Sequence, residues 1–290
     1  MRALLKATTC LKTFVLGVGF AIVLAGCSTD SRRSTLKPTA PVPGEPIDRL
    51  NIELYLKDQC ARLWSEGRVA TNLLSRTNHL TCSLKLTPPS TNGISPAELV
   101  EKNEMSVAVI VLYGKRGKLA GSATGFFLTE SGALATCKHV VANKRVKGMA
   151  VMTRDGRVCP VRELLAVDPT NDVAIVQVEG KGFTPVPVAP AARPGSPVWV
   201  ISHPLTRFYS VTAGIVSGYF VEEDGTYMDI TADFAIGSSG APVFNEYGAV
   251  VGLANFTSPI WAGGFFTAHQ QMVTKGCVPS AELLKLIREE

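Results

Sequence analysis

Ser239 is a candidate nucleophile, because it lies among small residues in the segment Gly237-Ser-Ser-Gly-Ala-Pro242. A serine hydroxyl attacks a carbonyl only when a nearby base takes its proton and donors stabilise the negative charge that develops. The small residues permit a tight turn in which the N–H groups of Gly237 and Ser239 point at one spot and form an oxyanion hole. The same pattern also fits a plain Gly/Ser-rich turn between strands. The catalytic interpretation therefore requires a base and an orienting acid elsewhere.

His139 and Asp172 stand at positions that suit these two roles. His139 follows two predicted strands joined by a Glu-Ser-Gly turn, so we expect it just beyond the second strand. Asp172 lies where a loop enters an apolar run, and from there a carboxylate can reach back to an imidazole. The other histidines show neither i,i+4 spacing nor Cys/His clustering, so the sequence predicts no metal site. They are His79, His203 and His269.

In the order His139, Asp172, Ser239, the three motifs resemble those of trypsin-like serine peptidases, and most closely those of the bacterial Deg (HtrA) branch. Residues 195–204 and 211–217 are also similar to that branch, and the resemblance runs from about Ser95 to Ala254. Hydrolases of other folds carry the same triad in other chain orders, which supports this resemblance. It implies an all-β fold of two packed six-stranded antiparallel barrels, with the site at their junction.

The resemblance also implies a role for each residue of the site. Ser239 attacks the scissile carbonyl, His139 takes and later returns the proton, and Asp172 fixes the imidazole tautomer. Ser238 is one residue out of the motif's register, so the nucleophile is assigned to Ser239. Ala241 replaces the second glycine usual in the family, a small change that should not block the oxyanion hole. We expect no cofactor and no C-terminal PDZ domain.

Asp233 leaves two alignments of the substrate pocket open. It lies six residues before Ser239, the offset at which trypsin-like enzymes place the base of S1, and an acid there would favour Lys or Arg at P1. Deg proteases also carry an aspartate just upstream of this loop, where it is not an S1 base, and they prefer small aliphatic P1 residues. The loop before Gly237 is shorter than in typical Deg proteases, so the two alignments are hard to separate. We favour a small or apolar P1 residue.

The pattern of short apolar runs from Val107 onwards predicts a β-barrel or sandwich. The runs alternate with Gly, Pro and Asn turns, which argues against βαβ units. The predicted strands are 107–113, 123–128, 133–136, 174–178, 198–202, 210–216, 227–232 and 249–254. A capping box at 95–98 predicts a short helix to about Lys102, and residues 279–287 predict a capped amphipathic helix.

Residues 1–26 have the features of a lipoprotein signal peptide. A basic stretch ends at Lys12, and the apolar run 13–24 is too short to span a bilayer comfortably. It ends in Leu24-Ala-Gly-Cys27, which resembles the lipobox of bacterial lipoproteins and implies cleavage before Cys27, which then carries the lipids. The alternative is an ordinary signal with a chance cysteine. By the same resemblance, Ser28 favours the outer membrane, facing the periplasm.

Two segments separate the signal from the predicted protease domain, residues 95–290. Residues 27–46 are polar and proline-rich, which predicts a flexible tether. Residues 47–94 predict a partly helical extension that packs against the main domain. It contains Cys60 and Cys82, and an oxidising compartment favours a disulfide between them. Two buried free thiols are the alternative.

The composition suits a globular enzyme and does not suggest a nucleic-acid partner. Of the net charge of +5 on 290 residues, three charges come from Arg2, Lys6 and Lys12 in the leader, which leaves +2. The sequence predicts a lipid-anchored serine endopeptidase of the bacterial envelope that acts on protein or peptide substrates. The alternative is a catalytically silent barrel that serves as a peptide-binding or scaffold lipoprotein.

Overall fold

The computed structural model describes residues 38–71, 73, 80–168, 170–222, 225–263 and 268–288. The predicted signal peptide, Cys27, the first part of the predicted tether and His79 lie outside these residues. Within the described ranges, no helix is both long and apolar enough to cross a bilayer.

The N-terminal extension is built around one long helix. Its elements, with the helix that follows, are α1 (Arg49–Ser65), β1 (Cys82–Ser83) and α2 (Pro96–Asn103). Asp48 caps α1 by accepting the backbone N–H of Asn51. α2 begins with the predicted capping box, in which the side chains of Ser95 and Glu98 each accept the other residue's backbone N–H.

The end of the predicted tether is packed against the rest of the chain. Pro41 is buried, and the carbonyl of Val42 accepts a hydrogen bond of 2.9 Å from Arg154. Thr39 and Asn51 exchange hydrogen bonds of 3.0 Å. The folded part of the chain therefore begins before residue 47, where we had expected the tether to end.

The first barrel contains six strands and one short helix. They are β2 (Val107–Tyr113), β3 (Leu119–Phe127), β4 (Ala133–Cys137), α3 (Lys138–Val141), β5 (Gly148–Met152), β6 (Val158–Val167) and β7 (Val173–Val178). The strands close in the order β2-β3-β4-β7-β6-β5, and all pairs are antiparallel. β2 is apolar throughout because both of its faces are covered. Ala108, Ile110 and Leu112 fill the barrel core, whereas Val109 and Val111 pack with α1.

The second barrel also closes from six antiparallel strands. They are β8 (Pro197–Ser202), β9 (Ser210–Glu222), β10 (Gly225–Ile230), β11 (Pro242–Phe244), β12 (Val250–Ala262) and β13 (His269–Pro279). Their order is β10-β13-β12-β11-β8-β9. β12 is longer than predicted, and residues 256–262 at its end are exposed. The predicted fold of two six-stranded antiparallel barrels is confirmed.

One buried apolar cluster joins the two barrels. It includes Leu99 of α2, Phe126 of the first barrel and Leu253 of the second, all fully buried. Tight packing of this kind resists relative displacement. The cluster therefore fixes the junction at which the site was expected.

The chain ends differently from the helix predicted over 279–287. The last elements are α4 (Ser280–Leu284) and β14 (Ile287–Arg288). β14 pairs in parallel with β1, and Cys82 donates its N–H to the carbonyl of Leu286 at 2.8 Å. The helix stops at Leu284 because the backbone beyond it pairs with the extension.

The disulfide predicted between Cys60 and Cys82 is not formed, and both cysteines are free thiols. Cys60 is buried in α1 against the first barrel, whereas Cys82 belongs to a different apolar cluster beside β14. Burial raises the pKa of both thiols to about 11, so neither is activated for thiol exchange. The remaining cysteines of the described chain are also free: Cys137, Cys159 and Cys277.

Candidate active site

Two neighbouring strands place His139 and Asp172. β4 ends at Cys137 and β7 begins at Val173, and these two residues pair directly across the strands. His139, in the first turn of α3, therefore lies beside Asp172, the residue before β7. Asp172 has a φ of 57°, a left-handed conformation in which aspartate is enriched relative to most side chains.

The carboxylate of Asp172 binds His139 through both of its oxygens. Oδ2 accepts the ring Nδ1–H at 2.6 Å, and Oδ1 accepts the backbone N–H of His139 at 2.7 Å. The Asp172 carbonyl also accepts the N–H of Lys138 at 2.9 Å. With the proton on Nδ1, the neutral imidazole offers Nε2 as an acceptor. The His139 side chain is 48% exposed, so the ring is accessible.

The loop that carries Ser239 is docked on the first barrel. Thr124 of β3 donates its N–H to the Ser239 carbonyl at 3.0 Å and its hydroxyl to the Gly237 carbonyl at 2.8 Å. Gly240 has a φ of +84°, and a Cβ at this position would lie 2.3 Å from Oγ1 of Thr136. Thr136 belongs to β4, the strand that leads to the histidine. The contacts therefore bring the serine loop to the same junction as the His139–Asp172 pair.

The two serines of the loop have different environments. Ser238 is fully buried, and its hydroxyl donates to Oγ of Ser202 at 3.0 Å, whereas Ser239 is partly exposed. The Ser238 N–H donates to the Ala235 carbonyl at 2.9 Å. Among the residues that the structure describes, the N–H groups of Gly237 and Ser239 donate no hydrogen bond. Two free amides on either side of a bonded one are suited to binding an oxyanion.

The hydroxyl of Ser239 makes no hydrogen bond to His139 within the described chain. In structures without substrate, such bonds are often long and shorten only when the substrate binds. The site thus combines a base already oriented by a carboxylate, an accessible serine on the facing loop and two free amide donors. This set can transfer an acyl group to the serine.

Asp233 is exposed and paired. Its side chain is 86% exposed, and its carboxylate lies 3.2 Å from Nζ of Lys275. Lys275 is only 14% exposed and also donates to the carbonyl of Phe234 at 2.8 Å. A carboxylate that is both hydrated and paired offers a substrate cation little net attraction.

Cys137 adds a third group to the histidine and aspartate, and ligand atoms of the three residues lie within 4.8 Å of one another. The Cys137 thiol donates to the carbonyl of Ala254 at 3.4 Å. Burial, with a smaller contribution from the charge of Asp172, raises the pKa of Cys137 well above its usual value. Because metals bind the thiolate, and because His139 and Asp172 bind each other, this group fits a hydrogen-bonded junction better than a metal site.

Thr124, Thr136 and Lys275 belong to this region and were not predicted. Both threonines are fully buried, although threonine is common on either face of a strand and its type alone does not indicate burial. A docked loop whose carbonyls face another barrel must find donors there. The need of these loop carbonyls for hydrogen-bond donors was the one indication that β3 should contain buried polar residues.

The comparisons with known proteins agree with this geometry. Residues 123–253 match the model of the trypsin-like peptidase domain, and this range includes all three predicted catalytic residues. Serine protease HTRA1 of Xenopus laevis is 31% identical over 195 residues, which cover 62% of this chain and 41% of that protein. A probable periplasmic serine endoprotease, DegP-like, of Ectopseudomonas mendocina is 34% identical over 160 residues, covering 52% of this chain and 32% of that protein. The chain thus spans less than half the length of these relatives.

A solved structure supports the fold. The crystal structure of the serine endoprotease from Yersinia pestis aligns with a TM-score of 0.55 and 19% identity, over 67% of this chain and 65% of that one. The two barrels, the matched domain and the relatives named as serine proteases agree with one another. Residues 123–253 thus resemble a trypsin-like peptidase domain, and the chain is similar to the Deg/HtrA proteases.

Proposed function

We propose that this protein is a serine endopeptidase that hydrolyses peptide bonds through His139, Asp172 and Ser239. The observation that carries the proposal is the contact of Asp172 with both the ring and the amide of His139, beside a docked loop with free amides at Gly237 and Ser239. The relatives described above are named as serine proteases, which supports the same reaction.

In the proposed reaction, Oγ of Ser239 attacks the scissile carbonyl carbon while Nε2 of His139 takes the hydroxyl proton. Asp172 keeps the ring oriented and stabilises the imidazolium. The substrate oxygen becomes negative and is bound by the N–H groups of Gly237 and Ser239. His139 gives its proton to the leaving amine as the C–N bond breaks, and water then hydrolyses the acyl-serine by the same steps.

A fluorophosphonate probe tests this proposal on the purified protein. The wild type should be labelled and Ser239→Ala should not. Ser238→Ala is the matched control, because it removes the neighbouring hydroxyl, which is buried against Ser202, and it should still be labelled. Labelling of Ser239→Ala at the wild-type rate, or an unlabelled wild type, contradicts the proposal.

We further infer that the enzyme cleaves after small or apolar P1 residues. The exposure of Asp233 and its pairing with Lys275 support this preference, because they leave little charge to attract a basic side chain. Cleavage-site profiling on a peptide library tests it. Dominant cleavage after Lys or Arg that is lost in Asp233→Ser contradicts the inference.

We also propose that Cys27 carries a lipid that holds the enzyme at the bacterial envelope, facing the periplasm. The segment Leu24–Cys27 supports this, as does the word periplasmic in the names of two bacterial relatives. Metabolic labelling with palmitate should mark the wild type but not Cys27→Ala. Incorporation into that variant at the wild-type level excludes Cys27 as the anchor.

A silent barrel that binds peptides is the second candidate, and the unformed bond between Ser239 and His139 favours it. It predicts measurable peptide binding by a wild-type protein that the fluorophosphonate does not label. The same labelling experiment therefore decides between the two functions.

A further inference from the structure

The loop that joins β8 to β9, residues 203–209, is strained. Leu205, Thr206 and Tyr209 have φ values of 49°, 61° and 56°. Left-handed conformations are uncommon outside glycine, and for a β-branched residue such as Thr206 they are genuine outliers. Such residues persist only where their surroundings hold them in place, and they are often found at functional sites. The contacts of this loop therefore require an explanation.

One side of the loop holds a peptide of the oxyanion hole. Leu205 donates its N–H to the carbonyl of Ile236 at 2.8 Å. That carbonyl belongs to the same peptide unit as the N–H of Gly237. Because a trans peptide is planar, its C=O and N–H point in opposite directions, so fixing the carbonyl also fixes the N–H. The carbonyl of His203 lies against the same glycine, 2.6 Å from the position of a Cβ.

The other side of the loop is held by the N-terminal extension. The hydroxyl of Thr206 donates to Oε1 of Glu53 in α1 at 2.8 Å. The Glu53 side chain is only 22% exposed and pairs with Arg49 at 3.1 Å. A carboxylate acceptor makes this hydrogen bond stronger than a neutral one. Tyr209 is buried in the same apolar cluster as α1, which adds a second point of attachment.

We propose that Glu53 and Thr206 are positioning residues for the oxyanion hole. Their hydrogen bond keeps the 203–209 loop in its strained conformation, and Leu205 then aims the N–H of Gly237 at the substrate oxygen. The inference rests on the proposed function, in which that N–H binds the oxyanion. It gives Glu53 a role at the site, although the helix that carries this residue packs on the outer face of the first barrel.

Steady-state kinetics of paired variants test the proposal. We expect Thr206→Val to lower kcat about tenfold, short of the roughly 10²–10³-fold loss seen when one oxyanion donor is removed. KM should stay unchanged, because the donor acts on the transition state. Thr206→Ser keeps the hydroxyl and should restore most of the rate. Glu53→Ala and Glu53→Gln form a second pair. Glu53→Ala should lower kcat, whereas Glu53→Gln keeps an acceptor and should retain most of the rate, so this pair tests the proposal if Thr206→Val does not fold.

Arg62→Ala is the matched control, because it breaks the other i,i+4 ion pair of α1, Arg62–Glu66, away from the loop. It should leave kcat unchanged. Wild-type kcat in both Thr206→Val and Glu53→Ala overturns the proposal, as does an equal loss in Arg62→Ala.

An NMR readout separates this inference from the proposed function. The amide resonances of Leu205 and Gly237 should shift in Thr206→Val but not in Arg62→Ala, whether or not the wild type is labelled by a fluorophosphonate. An unlabelled wild type with these shifts refutes the peptidase but supports the coupling. Unmoved resonances overturn the coupling even in an active enzyme.

Discussion

The two halves of the site are built in different ways. His139 and Asp172 lie at the ends of two paired strands of one barrel, and direct hydrogen bonds join them. Ser239 lies on a loop of the other barrel, which is held by Thr124 of the first barrel and by the 203–209 loop of its own barrel. The His139–Asp172 pair therefore depends on a single barrel. The proposed nucleophile and oxyanion donors contact both barrels, and the proposed coupling through Thr206 extends this dependence to the N-terminal extension.

This difference indicates where activity is most easily lost. Each left-handed residue of the 203–209 loop costs roughly 1–2 kcal/mol, whereas the strand ends that carry the acid–base pair include only one such residue, an aspartate. Loosening the junction should therefore disturb the serine loop and leave the His139–Asp172 bond intact. The following predictions test this asymmetry, from the largest expected effect to the smallest.

Removing either reacting residue should have the largest effect. Ser239→Ala and His139→Ala should each lower kcat by about 10⁶-fold, and the double variant should be hardly worse, because triad members act as a unit. Peptide hydrolysis by the four proteins of this cycle measures the coupling across the barrels. Losses that multiply in the double variant would show that the two halves act independently.

Removing the charge of the acid should cost less. Asp172→Asn should lower kcat by about 10⁴-fold, because the amide no longer holds the imidazole in the productive tautomer. Among the described residues, no hydrogen bond joins Asp172 to the Ser239 loop, so the amide resonance of Gly237 should remain in place. A shifted Gly237 resonance in this variant would contradict the account, in which the two halves act together in catalysis but are held in place by separate contacts.

A side chain at position 240 should move the Ser239 loop away from the first barrel, which carries His139 and Asp172. A Cβ there would lie 2.3 Å from Oγ1 of Thr136 and 2.4 Å from the carbonyl of Thr124, so Gly240→Ala should lift the loop and lower kcat by about 10²-fold. Gly195→Ala is the matched control. Gly195 has a similar φ of +87°, but a Cβ there would meet no atom within 4 Å, so this variant should keep its activity. Equal activity of the two variants in the same peptidase assay would contradict the docking.

His203, in the strained loop, should make the second half sensitive to acid. It is fully buried and its Nδ1 accepts the N–H of Tyr209 at 3.0 Å, and burial lowers its pKa from 6.5 to about 3. The unfolded chain then binds the extra proton below about pH 6.5, so stability is lost as pH falls towards 3, by at most a few kcal/mol.

Urea unfolding across this range measures the effect of His203. His203→Asn keeps an acceptor for Tyr209 and should flatten the decline between about pH 6.5 and 5.5, above the range in which most carboxylates titrate. A slope equal to that of the wild type would show that His203 is not the group responsible.

The regular strands and the order of the motifs could be predicted from the sequence. The contacts by which the Ser239 loop and the N-terminal extension dock on the barrels could not. The run Val107–Tyr113 was predicted with its observed bounds because its residues are all apolar or aromatic. β13 was missed because its first four residues, from His269, are exposed in a hairpin that leaves the barrel, so they show no buried pattern. Cys60 and Cys82 are close in sequence but pack into separate clusters, which is why the disulfide prediction was wrong.

The candidate site divides in the same way. His139 and Asp172 could be proposed from the sequence because each adjoins a recognisable strand, and Ser239 could be proposed because small residues surround it. Thr124 and Glu53 could not, since they act on residues more than a hundred positions away and no local pattern records such a contact. Long-range contacts of single side chains become visible only when the barrels are assembled.

A crystal structure of the fluorophosphonate adduct tests the central claim most directly. The account predicts a phosphonyl group on Oγ of Ser239, with one oxygen bound by the N–H groups of Gly237 and Ser239 and with the His139–Asp172 hydrogen bond retained. An adduct on another residue, or a phosphonyl oxygen that contacts neither amide, would contradict it.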